Sequence, residues 1–474
     1  MTTLTKSDFL EILACKESYW VARYKPELLP KAGLSDFDLM LMQDGFDVEH
    51  CVKLWVHSWS DVLDIRFQET FKSSDGLEVR ADMIRQLDAA TVDVFEVKSS
   101  LSPKGHLEDV AFQTIAIERS GLSVNRINII HVNSAYVRSG ELGLNSLLVI
   151  ADVTDEVREL VPQLMLEIDA ALDWVGQTEI NEEGCECRFK GSIPSRCIAF
   201  NYLNPDIPEI SIYNLPNIRT GRVRGFVEEG RLDLEDVVED EVTPSMLPVL
   251  RAAHSGAPVI NQVGVKRFLD ALEFPLFFYD YETFKSAVPI MDGVSPHEQV
   301  PVQVSVHRLD ADGTLSHSEY LAEAPGTRRE LAFALRDAIA DEGTCISWHK
   351  SFEIGCNRRL GAAFPELAAF MGSINERTVD LRDIFKADYV DIGFKGSTSI
   401  KSVLPVLCPN LSYEGMAVGD GGTAMAGWLS MTRETDPVEK ARKRDELLEY
   451  CKLDSFAMVE IYRFLRQSLD YKHS

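Results

Sequence analysis

Apolar and polar positions along this chain fall into two kinds of block, one with the period of a helix and one with the period of a strand. Residues 1–44 carry the helical kind, with an apolar and aromatic face in Phe9, Leu10, Ile12, Leu13, Tyr19 and Trp20. Gly45 to about Leu63 predicts a second amphipathic helix. Two strands separated by a turn follow, over 77–85 and 92–100. Then come a helix from His106 to Gln113, a core strand over 126–132 and a long helix over 152–175. Residues 201–274 are punctuated by Pro205, Pro208 and Pro216 and read as a connector with two short helices, around 230–238 and 244–253. Beyond it lie an apolar strand over 275–284, a strand over 303–308 and a helix over 328–340. A short strand then runs into a helix start over 345–353, and a capped helix covers 396–404. A mobile glycine-rich loop over 419–427 precedes a final amphipathic helix. The interleaving of both kinds of block predicts an α/β protein of two units, 1–200 and 275–474, joined by 201–274.

Within the strand over 275–284, Asp280 and Glu282 stand two positions apart and share a face. Two carboxylates in an otherwise apolar strand are costly unless a divalent cation meets them, or unless the stretch is a solvated turn. A third acid, Glu353, follows the short strand that begins at Cys345. In the last helix Tyr450 and Asp454 are four apart and lie on one face. In the first unit, alternation places Glu96 and Lys98 together, with Asp82 on the neighbouring strand. Asp109 and Gln113 stand one turn apart on the helix that follows. A salt-bridged surface strand would produce the same Glu-x-Lys pattern. Asp380 and Asp383 read as exposed or capping groups, and the glycines of 419–427 lack the Lys-Ser/Thr pair of a phosphate-binding loop.

The order Asp-x-Glu, an acid after an aromatic, then Tyr-x-x-x-Asp resembles the DEDD exonucleases of the DnaQ-like type, in their tyrosine-bearing subclass. That resemblance implies a ribonuclease H-like fold and two metal ions held by Asp280, Glu282, Glu353 and Asp454, with Tyr450 orienting the attacking water. The family usually has Asp where this chain has Glu353. The segment 396–404 resembles the helix, often written Ser-Leu-Lys, that precedes the last motif. Asp82 followed by Glu96-x-Lys98 resembles the PD-(D/E)XK nucleases and implies a restriction-endonuclease-like fold. There Asp82 and Glu96 would bind Mg²⁺ or Mn²⁺, and Lys98 would hold or polarise the attacking water. The Gln113 helix resembles the glutamine motif of the RecB-like branch. Gly45–His50 resembles that branch's first helical motif, which would add Glu49.

Nine cysteines form no secreted-domain pattern, and in a reducing compartment clustered ones are metal ligands sooner than disulfides. Cys185, Cys187 and Cys197 follow the first unit's core and pair with Cys15 ahead of it; four thiolates would hold an iron–sulfur cluster or zinc. One N-terminal cysteine plus three C-terminal ones resembles the iron–sulfur nucleases of the RecB-like family, including CRISPR-associated and AddB-type members. This implies a 4Fe–4S cluster that staples the domain's ends, with zinc as the rival; the Cys185–Cys187 gap is tighter than is typical. The whole arrangement resembles predicted RecB-like nucleases with a C-terminal ribonuclease H-like domain, catalogued as a domain-of-unknown-function family.

At 474 residues, 45% hydrophobic and 26% charged, the chain has an ordinary globular composition. It shows no transmembrane run and no basic-then-apolar leader, so a cytoplasmic location and no membrane partner are expected. A net charge of −27 argues against a nonspecific nucleic-acid coat, although the local field near a site is what counts. The basic residues are grouped, as Arg188, Lys190, Arg196, Arg219, Arg222 and Arg224, and as Lys440, Arg442, Lys443 and Arg444. Much of the acidity lies in 227–241. The expectation is a metal-dependent nuclease acting on DNA, single-stranded for preference. The alternatives are an RNA 3′–5′ exonuclease and a nucleic-acid-binding protein in which one or both sites are inactive.

Overall fold

The computed structural model describes residues 3–30, 33–59, 64–191 and 197–470 as a mixed α/β protein with two principal sheets. The first contains β1 (Leu4–Thr5), β2 (Ile65–Lys72), β3 (Leu77–Gln86), β4 (Thr91–Val97), β5 (Ser123–Val132) and β6 (Leu148–Asp152). Its order is β1-β3-β4-β5-β6, with β2 also paired to β3. β3 and β4 are antiparallel with Met83 opposite Phe95, so the same register sets Asp82 across from Glu96. Helices Lys6–Tyr24, Leu107–Arg119 and Thr154–Val175 pack on this sheet through Phe9, Val110, Ile115, Val157 and Ile168, all buried. A capping box between Thr5 and Asp8 starts the first of these helices, which breaks at Cys15.

Three local expectations are corrected here. The second helix runs Asp36–Val56, straight through Gly45, because Ser35 and Asp38 form the capping box that begins it. The expected end of that helix, at 60–63, lies outside the described residues. β2 had no sequence signal strong enough to predict it, since only Phe71 of its eight residues is buried. In the connector the helices are Phe200–Leu203, Thr220–Glu228, Leu247–Ser255 and Gln262–Asp270, and the predicted helix around 230–238 is only a 3₁₀ turn, Leu234–Asp236. Phe200, Ile212, Leu234 and Leu250 of this stretch share a core with Cys15, Trp20, Cys185 and Cys187. The short β7 (Val259–Ile260) lies between the helices Leu247–Ser255 and Gln262–Asp270.

The second sheet contains β8 (Leu276–Phe284), β9 (Val300–Leu309), β10 (Leu315–Leu321), β11 (Thr344–Ser347) and β12 (Thr378–Asp380), in the order β10-β9-β8-β11-β12. The first three are antiparallel, and β8, β11 and β12 are parallel. β13 (Tyr389–Val390) pairs back to β7. One face of the sheet takes the long helix Pro437–Asp470 and helix Ile400–Leu407; the other takes Arg328–Ala338 and Lys350–Ala363. Where a mobile glycine-rich loop was expected, helix Gly421–Arg433 stands. Asp420 Oδ1 accepts from Thr423 N at 2.8 Å, which orders the first turn, and Met425, Trp428 and Met431 bury its inner face.

The two sheets interlock. The loop 285–299, between β8 and β9, sends Ala287 and Val288 into a core with Val48, Val52, Met83 and Ile130. In return Met40, from helix Asp36–Val56, packs with Phe284 and Trp428. Among the described residues no helix is long and apolar enough to cross a membrane.

Candidate functional site

β8 lies in the middle of its sheet, between β9 and β11, and alternation divides its side chains. Phe277, Tyr279 and Tyr281 enter the core under helix Lys350–Ala363. Asp280 and Glu282 point the other way, toward the long C-terminal helix, where Asp454 joins them. One carboxylate oxygen of each lies within 4.8 Å of those of the other two. Glu353, in the first turn of helix Lys350–Ala363, lines the same cavity of about 340 Å³ but stands outside that closest trio. It is only 2% exposed, and its Oε2 has no hydrogen-bond partner. Tyr450 is buried against the cavity, and Tyr413 Oη donates to Asp454 Oδ1 at 2.6 Å. Lys401 Nζ sits 5.4 Å from the Tyr450 ring centre and 5.6 Å from that of Tyr413, and donates to the Gly419 carbonyl at 2.6 Å.

The electrostatics are those of buried acids crowded together, with Lys401 the cation that opposes their repulsion. Burial, then Asp454 and Glu282, push Asp280 well above the carboxylate range. Burial and Asp454 do the same to Glu282, against the pull of Lys401. Burial lifts Glu353 to about 8 and Asp454 to about 6, the latter held back by the Tyr413 hydrogen bond. Elsewhere a buried acid is fully partnered. Asp93 takes Arg85 Nη2 at 2.6 Å, Asn125 Nδ2 at 2.8 Å and the Arg126 amide at 3.1 Å, a structural arrangement with nothing left over. Asp380 likewise accepts from the Lys350 and Arg382 amides, as a helix cap. The Asp280 group has an orphaned oxygen and repelling neighbours, which fits a divalent cation.

The first sheet gathers its own set. Glu96, 1% exposed, takes Lys98 Nζ and Lys6 Nζ on Oε1, each at 2.8 Å, and Gln113 Nε2 on Oε2. Lys98 also reaches Asp109 Oδ2 at 2.5 Å. Burial alone would raise Glu96, yet Lys6 and Lys98 hold it down at about 2. Burial and Glu96 together lift Asp82 to about 7. Burial works against the charge of Lys98, but Glu96 and Asp109 keep its ammonium well above the usual lysine range. Gln68 has φ +56 inside β2, a left-handed position rarely held by residues other than Gly and Asn. Its Nε2 donates to Glu49 Oε2 and Asp82 Oδ1, at 3.4 Å each. Gln113 Oε1 is buried with no partner. Asp82 and Glu96 thus face each other across the β3–β4 register, with Lys6, Lys98 and Gln113 all on the Glu96 carboxylate.

Cys15, Cys185, Cys187 and Cys197 place their sulfurs within 4.8 Å of one another, with Cys185 and Cys197 at 3.8 Å. Three are buried, and all are free thiols, a donor set that fits a metal. Several of the basic residues flagged in the sequence are spent on ion pairs. Arg188 pairs with Asp206, Arg442 with Glu439 and Glu446, Lys443 with Glu434, and Arg444 with Glu323; Arg196 lies outside the described residues. The sequence alone gives no site role to Lys6, Gln68, Lys401 or Tyr413. Each reaches its site from a distant segment, and only Lys401 fell within a segment already singled out.

Residues 277–399, which include Asp280, Glu282 and Glu353, match the family described as a domain of unknown function (DUF2779). The chain is 28% identical over 219 residues to a protein of Mycoplasma pneumoniae that bears the name uncharacterized protein MG366 homolog, covering 40% of this chain. It spans about a third (32%) of that relative's length.

Proposed function

We propose that the protein is a metal-dependent nuclease whose principal catalytic site is the Asp280 cavity, in a ribonuclease H-like unit, with the Glu96 site of a RecB-like, restriction-endonuclease-like unit as a second. The observation that carries this reading is the convergence of Asp280, Glu282 and Asp454 within 4.8 Å beside the unpartnered Glu353 Oε2. Those four residues would hold Mg²⁺ or Mn²⁺, which when bound lowers the pKa of water and neutralises charge on a phosphoryl group. Tyr450 would orient the water, and Lys401 would place a positive charge at the phosphate. Water then adds to phosphorus as the ester oxygen leaves. In the other unit Asp82 and Glu96 would hold the ion, with Lys98 at the water and Gln113 fixing Glu96.

The sulfur spacing supports one tetrahedral ion at the cysteines, since ligands about 2.3 Å from zinc stand roughly 3.8 Å apart. A 4Fe–4S cube would need the thiolates to spread. DNA is the favoured substrate, with RNA as the alternative. The test is incubation of anaerobically purified protein with end-labelled single-stranded DNA and RNA in Mn²⁺, beside Lys98→Ala and Asp280→Ala. Cleavage that survives Lys98→Ala and is lost in Asp280→Ala is expected. No cleavage by the intact chain, with metal bound at the cysteines, would turn the reading to a nucleic-acid-binding protein with inactive sites.

A further inference from the structure

Ser99 follows Lys98 directly, and its carbonyl oxygen lies 2.6 Å from Nε2 of His297. His297 belongs to the loop 285–299, and Gln299, two residues on, lines the Asp280 cavity. Two residues of chain reach at most about 7 Å. One short stretch therefore separates the Lys98 site from the acidic cavity. That stretch is held from several sides. His297 N donates to the Ser286 carbonyl at 2.8 Å, Ala287 N to Asp44 Oδ2 at 3.0 Å, and Arg138 exchanges backbone hydrogen bonds with Gly293 and Val294. His297 itself has φ +57, a conformation that persists only where the surroundings impose it. Hydrogen bonds of both backbone and side chains thus hold the stretch between the two sites.

Each site carries a cation, Lys98 beside Glu96 and Asp109 in one and Lys401 at the wall of the other, and Lys285 begins the loop that joins them. A cavity of about 340 Å³ with carboxylates at its base is small beside a double helix, whose major groove alone is about 12 Å wide and about 8.5 Å deep. We propose that one single-stranded polynucleotide occupies both sites at once, its phosphates crossing the Ser99–His297 bridge. This rests on the nuclease reading above. With the sites fixed close together, engagement of the second is intramolecular, and affinity rises on the order of 10²-fold without any new contact.

The experiment measures binding of fluorescent, hydrolysis-resistant phosphorothioate oligothymidylate and oligouridylate of graded length to the full chain in Mn²⁺. Affinity is expected to climb steeply once the strand is long enough to span both sites. The step should disappear in Lys98→Glu and Lys401→Glu, and weaken in His297→Ala, which alters the bridge and neither site. Unchanged cysteine-bound metal and circular dichroism verify that each variant is folded. A step with oligothymidylate alone, oligouridylate alone or both identifies the sugar accepted. Binding with a smooth length dependence, the same in Lys98→Glu, while ordinary phosphodiester strands are cleaved, would overturn the shared strand and leave the nuclease reading standing. No binding of these strands at any length, with no cleavage of ordinary phosphodiester strands, would overturn both.

Discussion

Lys6 Nζ lies 2.8 Å from Glu96 Oε1, the same oxygen that Lys98 Nζ reaches at 2.8 Å. Two ammonium groups therefore compete with any divalent cation for one carboxylate. Lys6 stands in the first turn of its helix, fixed by the Thr5–Asp8 capping box, so its position is set by backbone. Lys6→Met is expected to tighten Mn²⁺ binding at this site about tenfold, a difference of about 1.4 kcal/mol, while Lys6→Arg leaves it unchanged. Calorimetric titration in an Asp280→Asn background, which silences the other site, reads the change. Equal affinity in Lys6→Met and its parent would mean that Lys6 does not compete.

Tyr413 Oη donates to Asp454 Oδ1 and so favours the ionised form that a metal needs. A hydrogen bond to a charged group contributes about 1.5–3 kcal/mol. Tyr413→Phe is expected to weaken Mn²⁺ binding in the Asp280 cavity roughly tenfold or more at neutral pH, and less at higher pH, where Asp454 ionises unaided. Titration at two pH values decides it; a loss that is the same at both would show that the hydroxyl acts by packing alone.

Burial raises Glu353 to about 8 and Asp454 to about 6, so both hold protons more tightly folded than unfolded. A carboxyl raised by folding contributes stability that is complete below its unfolded value and is lost as pH climbs through the folded one. The metal-free protein should therefore lose this contribution between about pH 4 and about pH 8, and Mn²⁺ should restore it at the upper end. The difference in Tm between the parent and Glu353→Gln isolates the contribution from other titrating groups. That difference should shrink or change sign in the variant's favour as pH rises, and a difference that moves the other way sinks the argument.

Much of the Asp280 site is legible in the sequence because β8 carries its acids in strand period within an apolar run, and Tyr450 and Asp454 share a helix face. The Glu96 site is legible as far as alternation reaches, since the β3–β4 register places Asp82 opposite Glu96. Tyr413, Lys401 and Lys6 were not, because packing between distant segments delivers them and no periodicity encodes that. The glycines at 421, 422 and 427 hid a helix whose apolar spacing resumes at Met425, Trp428 and Met431. The basic run 440–444 shows the opposite failure. A strong sequence signal there is absorbed by Glu434, Glu439, Glu446 and Glu323.

Ala287 belongs to the loop after β8, yet it is fully buried beside Val48, Val52 and Met83 of the other sheet's core. Ala287→Asp would place an unpaired charge there and is expected to cost on the order of 3 kcal/mol. Because the residue ties both sheets together, thermal unfolding should shift as one transition. Two separated transitions, with only one displaced, would show that the halves unfold independently.

Cys15 stands at the break in helix Lys6–Tyr24, and its partners Cys185, Cys187 and Cys197 lie far along the chain, beside the connector's core. A metal at these sulfurs closes a long loop, and it also fixes the helix that carries Lys6 to Glu96. Sulfurs within 4.8 Å of one another match a single tetrahedral ion, so elemental analysis of the anaerobically purified protein is expected to give one zinc per chain and no iron–sulfur chromophore. Cys187→Ala should lower both the metal content and the Tm, because binding free energy at such a site is folding free energy. It should also change Mn²⁺ affinity at Glu96 in the same direction as Lys6→Met, since freeing the helix releases the competing ammonium. Iron with acid-labile sulfide would replace the zinc assignment by a cluster with spread thiolates. A Mn²⁺ affinity untouched by loss of the cysteine metal would separate the two sites, leaving the cysteines a staple and nothing more.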